Sequence, residues 1–286
     1  MIYGVFAYLI WGLFPAFFPL LLPAAPLEIL AHRILWTAVL MLIVITVAKG
    51  WGEFKKTDRA TWIRIIFASF FIAANWLIYV IAVNAGHVTE AALGYFINPL
   101  VSVVFGIFFF KEQLRKLQLS AVLIATAGVL FLTFLAGQPP YLALTLALTF
   151  GLYGAIKKQV KMSAIGSLTA ETLVLLPIAI VYLGWLELSG QGTFFNNGPA
   201  HSALLISSGL VTAVPLLLFA LAAKAIPLST VGMLQYMTPT MQMLWALLVV
   251  NEQLEPVRWI GFIIIWVAVA LYIFDIYLQK RHYSAA

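Results

Sequence analysis

Residues 88–116 read VTEAALGYFINPLVSVVFGIFFFKEQLRK, and this stretch decides the fold. From Val88 to Phe110 only Glu90 is ionisable, and the run is as long as a bilayer's hydrocarbon core demands, about 20 residues. It then meets Lys111-Glu112-Gln113-Leu114-Arg115-Lys116, a turn too charged to follow it into lipid. An apolar run closed by a basic turn predicts a helix that crosses a membrane and leaves that turn in the cytoplasm.

The rest of the chain repeats the theme. Of 286 residues, 64% are hydrophobic and 9% charged. Soluble domains carry roughly 25% charged residues, so lipid is the main solvent of this chain. Apolar runs and their breakers predict ten spans, near 2–22, 28–48, 62–83, 88–110, 116–135, 140–158, 164–185, 202–222, 227–250 and 256–277. Pro23 and Pro26, Gly137-Gln138-Pro139-Pro140 and Asn196-Asn197-Gly198-Pro199 punctuate them. The first run lacks a basic leader and is long enough to span, so it reads as a span rather than a cleavable signal.

The net charge of +6 sets topology rather than pointing to nucleic acid. Of the 16 lysines and arginines, only Arg33 and Arg258 lie outside alternate joints and the C-terminal tail. Both termini are therefore expected in the cytoplasm. Cysteine is absent, which excludes disulfides and thiolate metal sites. No two carboxylates share a chelating spacing and no glycine-rich phosphate loop occurs, so no cofactor, metal or catalytic centre is expected.

The opening stretch also recurs. A shift of 140 residues sets Gly94-Tyr95-Phe96-Ile97-Asn98-Pro99 on Leu234-Gln235-Tyr236-Met237-Thr238-Pro239, and Lys111-Glu112-Gln113-Leu114 on Asn251-Glu252-Gln253-Leu254. A shift of 139 sets Trp11-Gly12 on Phe150-Gly151 and His32-Arg33 on Glu171-Thr172. Two units of five spans follow, 1–138 and 139–286. Five is odd, so the second unit threads the bilayer upside down. Inverted repeats with a site near the midplane are a recurring transporter architecture.

Trp11-Gly12, Glu28-Ile29-Leu30-Ala31-His32-Arg33, Asn75-Trp76, the block from Glu90 to Leu100, and Gln235-Tyr236 with Thr238-Pro239-Thr240 resemble the RarD branch of the drug/metabolite transporter superfamily. The resemblance covers almost the whole chain. It implies an all-α integral membrane protein of ten transmembrane helices in two inverted EamA-type repeats, in the bacterial inner membrane. It further implies a permease for a small organic solute such as an amino acid, a metabolite or an amphipathic drug. The family usually carries a longer N-terminal leader than this chain shows.

Polar side chains inside the spans are the candidates for that work, since hydrocarbon penalises them unless they face a cavity or a partner. Arg33 reads either as a receptor for a substrate carboxylate or phosphate, or as a cation that snorkels or pairs with Glu28 or a carbonyl. His32 points elsewhere on the helix. Glu171, inside the seventh span, is the candidate for proton coupling, against a structural hydrogen bond to a neighbouring helix.

Glu90, Gly94, Asn98 and Ser102 recur every four residues beside Tyr95, and Pro99 frees the Tyr95 carbonyl. The ninth span answers with Gln235, Tyr236, Thr238, Pro239 and Gln242, and paired proline-interrupted spans point to a transporter site. Asn75, Trp76 and Tyr79, with Tyr8, Trp11 and Tyr153, supply amide and aromatic walls that suit an amphipathic or aromatic solute. The fifth and tenth spans present small faces at Ala121, Ala125 and Gly128, and at Gly261 and Ala268. These read as peripheral staves or a homodimer contact. Tyr272 and Tyr277 read as interface anchors, and Glu112 and Glu252 as helix-end salt bridges. Two rival readings share the apolar pattern: a lipid-carrier flippase and an intramembrane enzyme. The enzyme lacks the clustered carboxylates or histidine pair its chemistry needs.

Overall fold

Backbone amides in hydrocarbon find no water, so a spanning segment must satisfy its own hydrogen bonds as a helix. The computed structural model describes residues 1–84, 88–135, 141–249, 251 and 255–284, and the described residues form helices and turns without strands. Helix α1 (Ile2–Gly12) gives way to a short α2 (Phe14–Phe17) and a 3-10 turn, Phe18–Leu21. Pro15 has no N–H for the Trp11 carbonyl, which breaks the ladder there.

There follow α3 (Pro26–Val47), the short α4 (Gly52–Lys56), α5 (Arg59–Asn84), α6 (Val88–Phe110) and α7 (Lys116–Leu135). The second half comprises α8 (Tyr141–Gln159), α9 (Ala164–Leu188), α10 (Gly198–Ala225), α11 (Leu228–Gln235), α12 (Met237–Leu248) and α13 (Pro256–Ser284). Caps appear where the sequence supplies them. The Asp58 carboxylate accepts from the Thr61 N–H at 2.9 Å, and the Ser163 hydroxyl from the Gly166 N–H at 2.9 Å.

Helices occupy the segments expected as spans, and eight helical runs are long and apolar enough to cross a bilayer. The sixth and ninth segments fall outside that measure. α8 ends on Lys157-Lys158-Gln159, and the ninth segment breaks at Tyr236 into pieces of 8 and 12 residues. The expected joint at 137–140, Glu252 and Gln253, and the Glu90 side chain lie outside the described residues.

Polarity is distributed as a lipid solvent demands. Phe108, Phe134, Val181 and Leu188 stand on the outside, while Glu28, His32, Asn75, Asn98, Lys157, Glu171 and Gln235 are buried. Packing joins the two halves throughout: α3 lies against α9 and α10, α6 against α8 and α11, α5 against α8 and α9, α1 against α10 and α12, and α7 against α13.

Two expectations are corrected here. The small faces of the fifth and tenth spans are spent on each other: Gly128 lies against Ile264, Ile265 and the Gly261 carbonyl, and Leu132 fills the space over Gly261. These faces are therefore not free for a second copy of the chain. Tyr272 is no interface anchor but a buried residue bonded to Thr230 and Ser229, whereas Tyr277 is exposed. The ion pair of Arg115 with Asp275 fastens the start of α7 to α13.

Glu112 is more than a salt-bridge partner. Its carboxylate accepts from the N–H groups of Leu228 at 2.6 Å and Ser229 at 2.9 Å and from the Ser229 hydroxyl at 2.7 Å, capping α11. Charged acceptors at a helix start relieve its orphan donors and suit its dipole. Glu112→Ala is expected to cost about 1–2 kcal/mol of stability, read as a lower melting midpoint in detergent, and Glu112→Gln less.

Candidate functional site

Proline breaks and buried amides converge on one place. Between α1, α3, α5, α6, α8, α10, α11 and α12 lies a cavity of about 300 Å³. Pro26, the first residue of α3, lines it together with Ile29, Phe14 and Phe18. α5 contributes Asn75, Trp76 and Tyr79 and α6 contributes Tyr95, while α11 and α12 contribute Gln235, Thr238 and Gln242. Tyr8, Trp11 and Phe150 add aromatic surface to the lining.

Several lining groups are held by carbonyls across helix boundaries. The Asn75 amide donates to the Leu146 carbonyl at 2.8 Å and to the Thr149 hydroxyl at 3.0 Å, fixing α5 to α8. The Thr238 hydroxyl donates to the Tyr8 carbonyl at 3.0 Å. The Gln242 amide also reaches the Trp11 carbonyl, at 3.4 Å. Tyr79 and Tyr95 meet edge to face, with ring centroids 5.8 Å apart. Buried and without a hydrogen-bond partner are the Gln235 Oε1 and the Tyr8 hydroxyl.

Arg33 projects into this space. Its Nε donates to the Thr212 hydroxyl at 2.9 Å, and its guanidinium lies 4.7 Å from the Trp76 ring centroid, 5.2 Å from Phe18 and 5.7 Å from Phe14. Such cation–π contacts hold a guanidinium where water does not. Among the described residues it has no carboxylate partner. Glu28 is engaged elsewhere, accepting from the Thr193 N–H at 2.7 Å and hydroxyl at 2.9 Å. His32 faces away and stacks on Phe194.

A smaller void of about 20 Å³ shares Arg33 and Trp76 with the cavity and reaches Tyr153, Glu171, Thr172 and Thr212. Glu171 is therefore not alone. Its carboxylate accepts from Lys157 Nζ at 2.5 Å and from the Tyr153 hydroxyl at 3.3 Å. Lys157, read from sequence as a joint residue, is wholly buried. Beside it, Lys158 donates to the carbonyls of Ile226 at 2.6 Å and Ala223 at 3.1 Å, and Lys224 donates to that of Met162. Lysines thus tie α8, α9, α10 and the start of α11 together where α8 ends.

Of the residues singled out from sequence, Trp11, Arg33, Asn75, Tyr79, Tyr95, Gln235 and Gln242 line the cavity, and Tyr153 and Glu171 line the smaller void. Asn98 and Tyr236 do not reach either. Asn98 is buried in α6, and Tyr236 packs into the core with Met243 and Tyr272, since its backbone stays helical and neighbouring helical residues point about 100° apart. Sequence reading missed Phe14, Phe18, Phe150 and Thr212. Phe150 was within reach, as the repeat partner of Trp11, whose ring lies 5.9 Å away.

The EamA-like transporter family model matches residues 1–134 and again 140–274. The chain belongs to the EamA-like transporter family. It is 43% identical to Protein RarD of Streptomyces exfoliatus, over 100% of this chain and 91% of that one. It is 44% identical to the uncharacterized transporter YojE of Bacillus subtilis, over 98% and 95%. A solved crystal structure shares the fold with a TM-score of 0.74 at 15% identity, covering 95% of this chain and 96% of the other. This EamA-family chain is accordingly a multi-pass, all-helical membrane transporter.

Proposed function

We propose that the chain is a secondary transporter that moves a small organic solute across the bacterial inner membrane by alternating access, using ten spans in two inverted halves. The observation that carries this reading is a cavity walled by both halves, with proline breaks on each side of it. The contacts pair off as a two-fold relation between halves predicts. Gly12 meets Met241 and Gly151 meets Val101, which is the same contact shifted by about 140 residues. Lys111 and Asn251, 140 residues apart, both take positive φ after their helices, at 53° and 57°.

With the basic turns inside, the end of the cavity lined by Pro26 lies toward the outside and the lysine ties lie at the cytoplasmic end. Glu171 is the coupling group in this reading. Gaining a proton, it releases Lys157 and loosens α8 from α9 at that end. Two measurements test the whole. In this cysteine-free chain, a single cysteine at Glu255 is expected to react with an impermeant thiol reagent in intact cells, and one at Gln113 to be shielded. Labelling of both from outside sinks the inversion. Solute flux into proteoliposomes that ignores a pH gradient in the wild type, or that keeps its gradient dependence in Glu171→Gln, removes the coupling role.

A further inference from the structure

A guanidinium held in a largely apolar cavity with no acid beside it is an uncompensated charge, and such a charge is costly until an anion arrives. Arg33 is in that state: Thr212 takes its Nε, and among the described residues the two terminal nitrogens have no hydrogen-bond partner. Among the described residues no aspartate or glutamate lines the cavity. The neighbouring Glu171 is committed to Lys157. We propose that the solute is an organic monocarboxylate with a flat apolar body, bound head-first by the Arg33 fork, and that zwitterionic amino acids are poor ligands. The proposal rests on the transport reading above and names its substrate class.

Four features of the site select this chemistry. A single cation matches one negative charge, which suits a carboxylate in the planar, two-pronged geometry guanidinium prefers, and not a phosphate dianion. The aromatic faces nearest that charge, Trp76, Phe14 and Phe18, are already taken by the guanidinium, so they offer no berth for a ligand ammonium group. The remaining apolar surface at Trp11, Tyr95 and Phe150 accepts a ring or planar chain. Gln235 Oε1, buried and unpartnered in the same cavity, would accept from a hydroxyl or amide N–H on that body.

A set of matched probes tests this on purified, full-length protein: 3-phenylpropionate, its neutral amide 3-phenylpropanamide, the cation 3-phenylpropylamine, and the zwitterion phenylalanine. Binding is read from tryptophan fluorescence and thermal shift. The acid is expected to bind at least about tenfold more tightly than each of the other three. Arg33→Gln is expected to erase the preference for acid over amide, while Arg33→Lys keeps part of it. Equal binding of acid and amide, phenylalanine binding as tightly as phenylpropionate, or no binding of any probe at millimolar concentration overturns the assignment. Because the wild-type comparison needs no variant, a misfolded Arg33→Gln leaves the test intact. Acid-selective binding without flux in proteoliposomes sinks the transport reading alone. Flux of amides as fast as acids sinks this one alone.

Discussion

Lys157→Met is expected to lower the stability of the protein by about 3–5 kcal/mol, the largest loss from any single polar side chain here. Methionine fills a similar volume, so packing is preserved and the effect isolates the charge. Lys157 and Glu171 are both buried, 2.5 Å apart, and removing the lysine strands a carboxylate whose other donor is the Tyr153 hydroxyl at 3.3 Å. Taking both charges away is a different matter. Lys157→Met with Glu171→Leu removes the desolvation burden along with the attraction, and is expected to recover most or all of the loss. Thermal melting in one detergent, for the two singles and the double, gives the cycle. A double variant as unstable as the worse single would show that the pair does not behave as a unit.

The same cycle bears on function. Opening this buried pair with both charges in place would strand each of them, so in the coupling reading it is the proton taken up by Glu171 that lets Lys157 go. If Glu171 couples transport to protons, the double variant is expected to fold well and yet transport without dependence on the pH gradient.

The second large effect is expected at Gly209. A Cβ built there comes within 2.5 Å of the Trp36 carbonyl carbon, 2.6 Å of its Cβ and 2.7 Å of its oxygen. Two of those atoms are backbone, so the neighbour has nowhere to move and α3 must separate from α10. Overpacking of this kind costs roughly 1–3 kcal/mol. The separation also pulls on two bonds that set the site: the Thr37 hydroxyl to the Gly209 carbonyl at 3.2 Å, and Arg33 to Thr212 at 2.9 Å. Gly209→Leu is therefore expected both to lower the melting midpoint and to weaken phenylpropionate binding by about tenfold or more. Gly184→Leu is the control. Nothing lies within 4 Å of a Cβ there, so stability and binding are expected to stay unchanged. A Gly209→Leu protein that binds as well as the wild type would show that the α3–α10 distance does not govern the cavity.

The legible and the illegible residues differ in a physical way. Arg33 and Glu171 stood out because lipid penalises any polar side chain in a span, wherever the chain later packs. Pro99 and Pro239 stood out because a missing N–H disturbs its own helix. Tyr236 misled because it lies beside Gln235 in sequence, yet neighbouring residues of helical backbone point about 100° apart, and only Gln235 faces the cavity. Lys157 misled because a lysine near a helix end reads as topology, whereas here the chain folds over it.

From sequence alone came the solvent, the helical class, many of the places where helices begin and end, and most of the cavity's polar and aromatic walls. Each follows from a requirement that one stretch of chain must meet against lipid by itself. Only the tertiary structure decided that Lys157 answers Glu171, that Thr212 and three aromatic rings hold Arg33, and that α7 and α13 use up each other's small faces. Those pairings join residues far apart in the chain, and no local energetic preference records them until the helices pack.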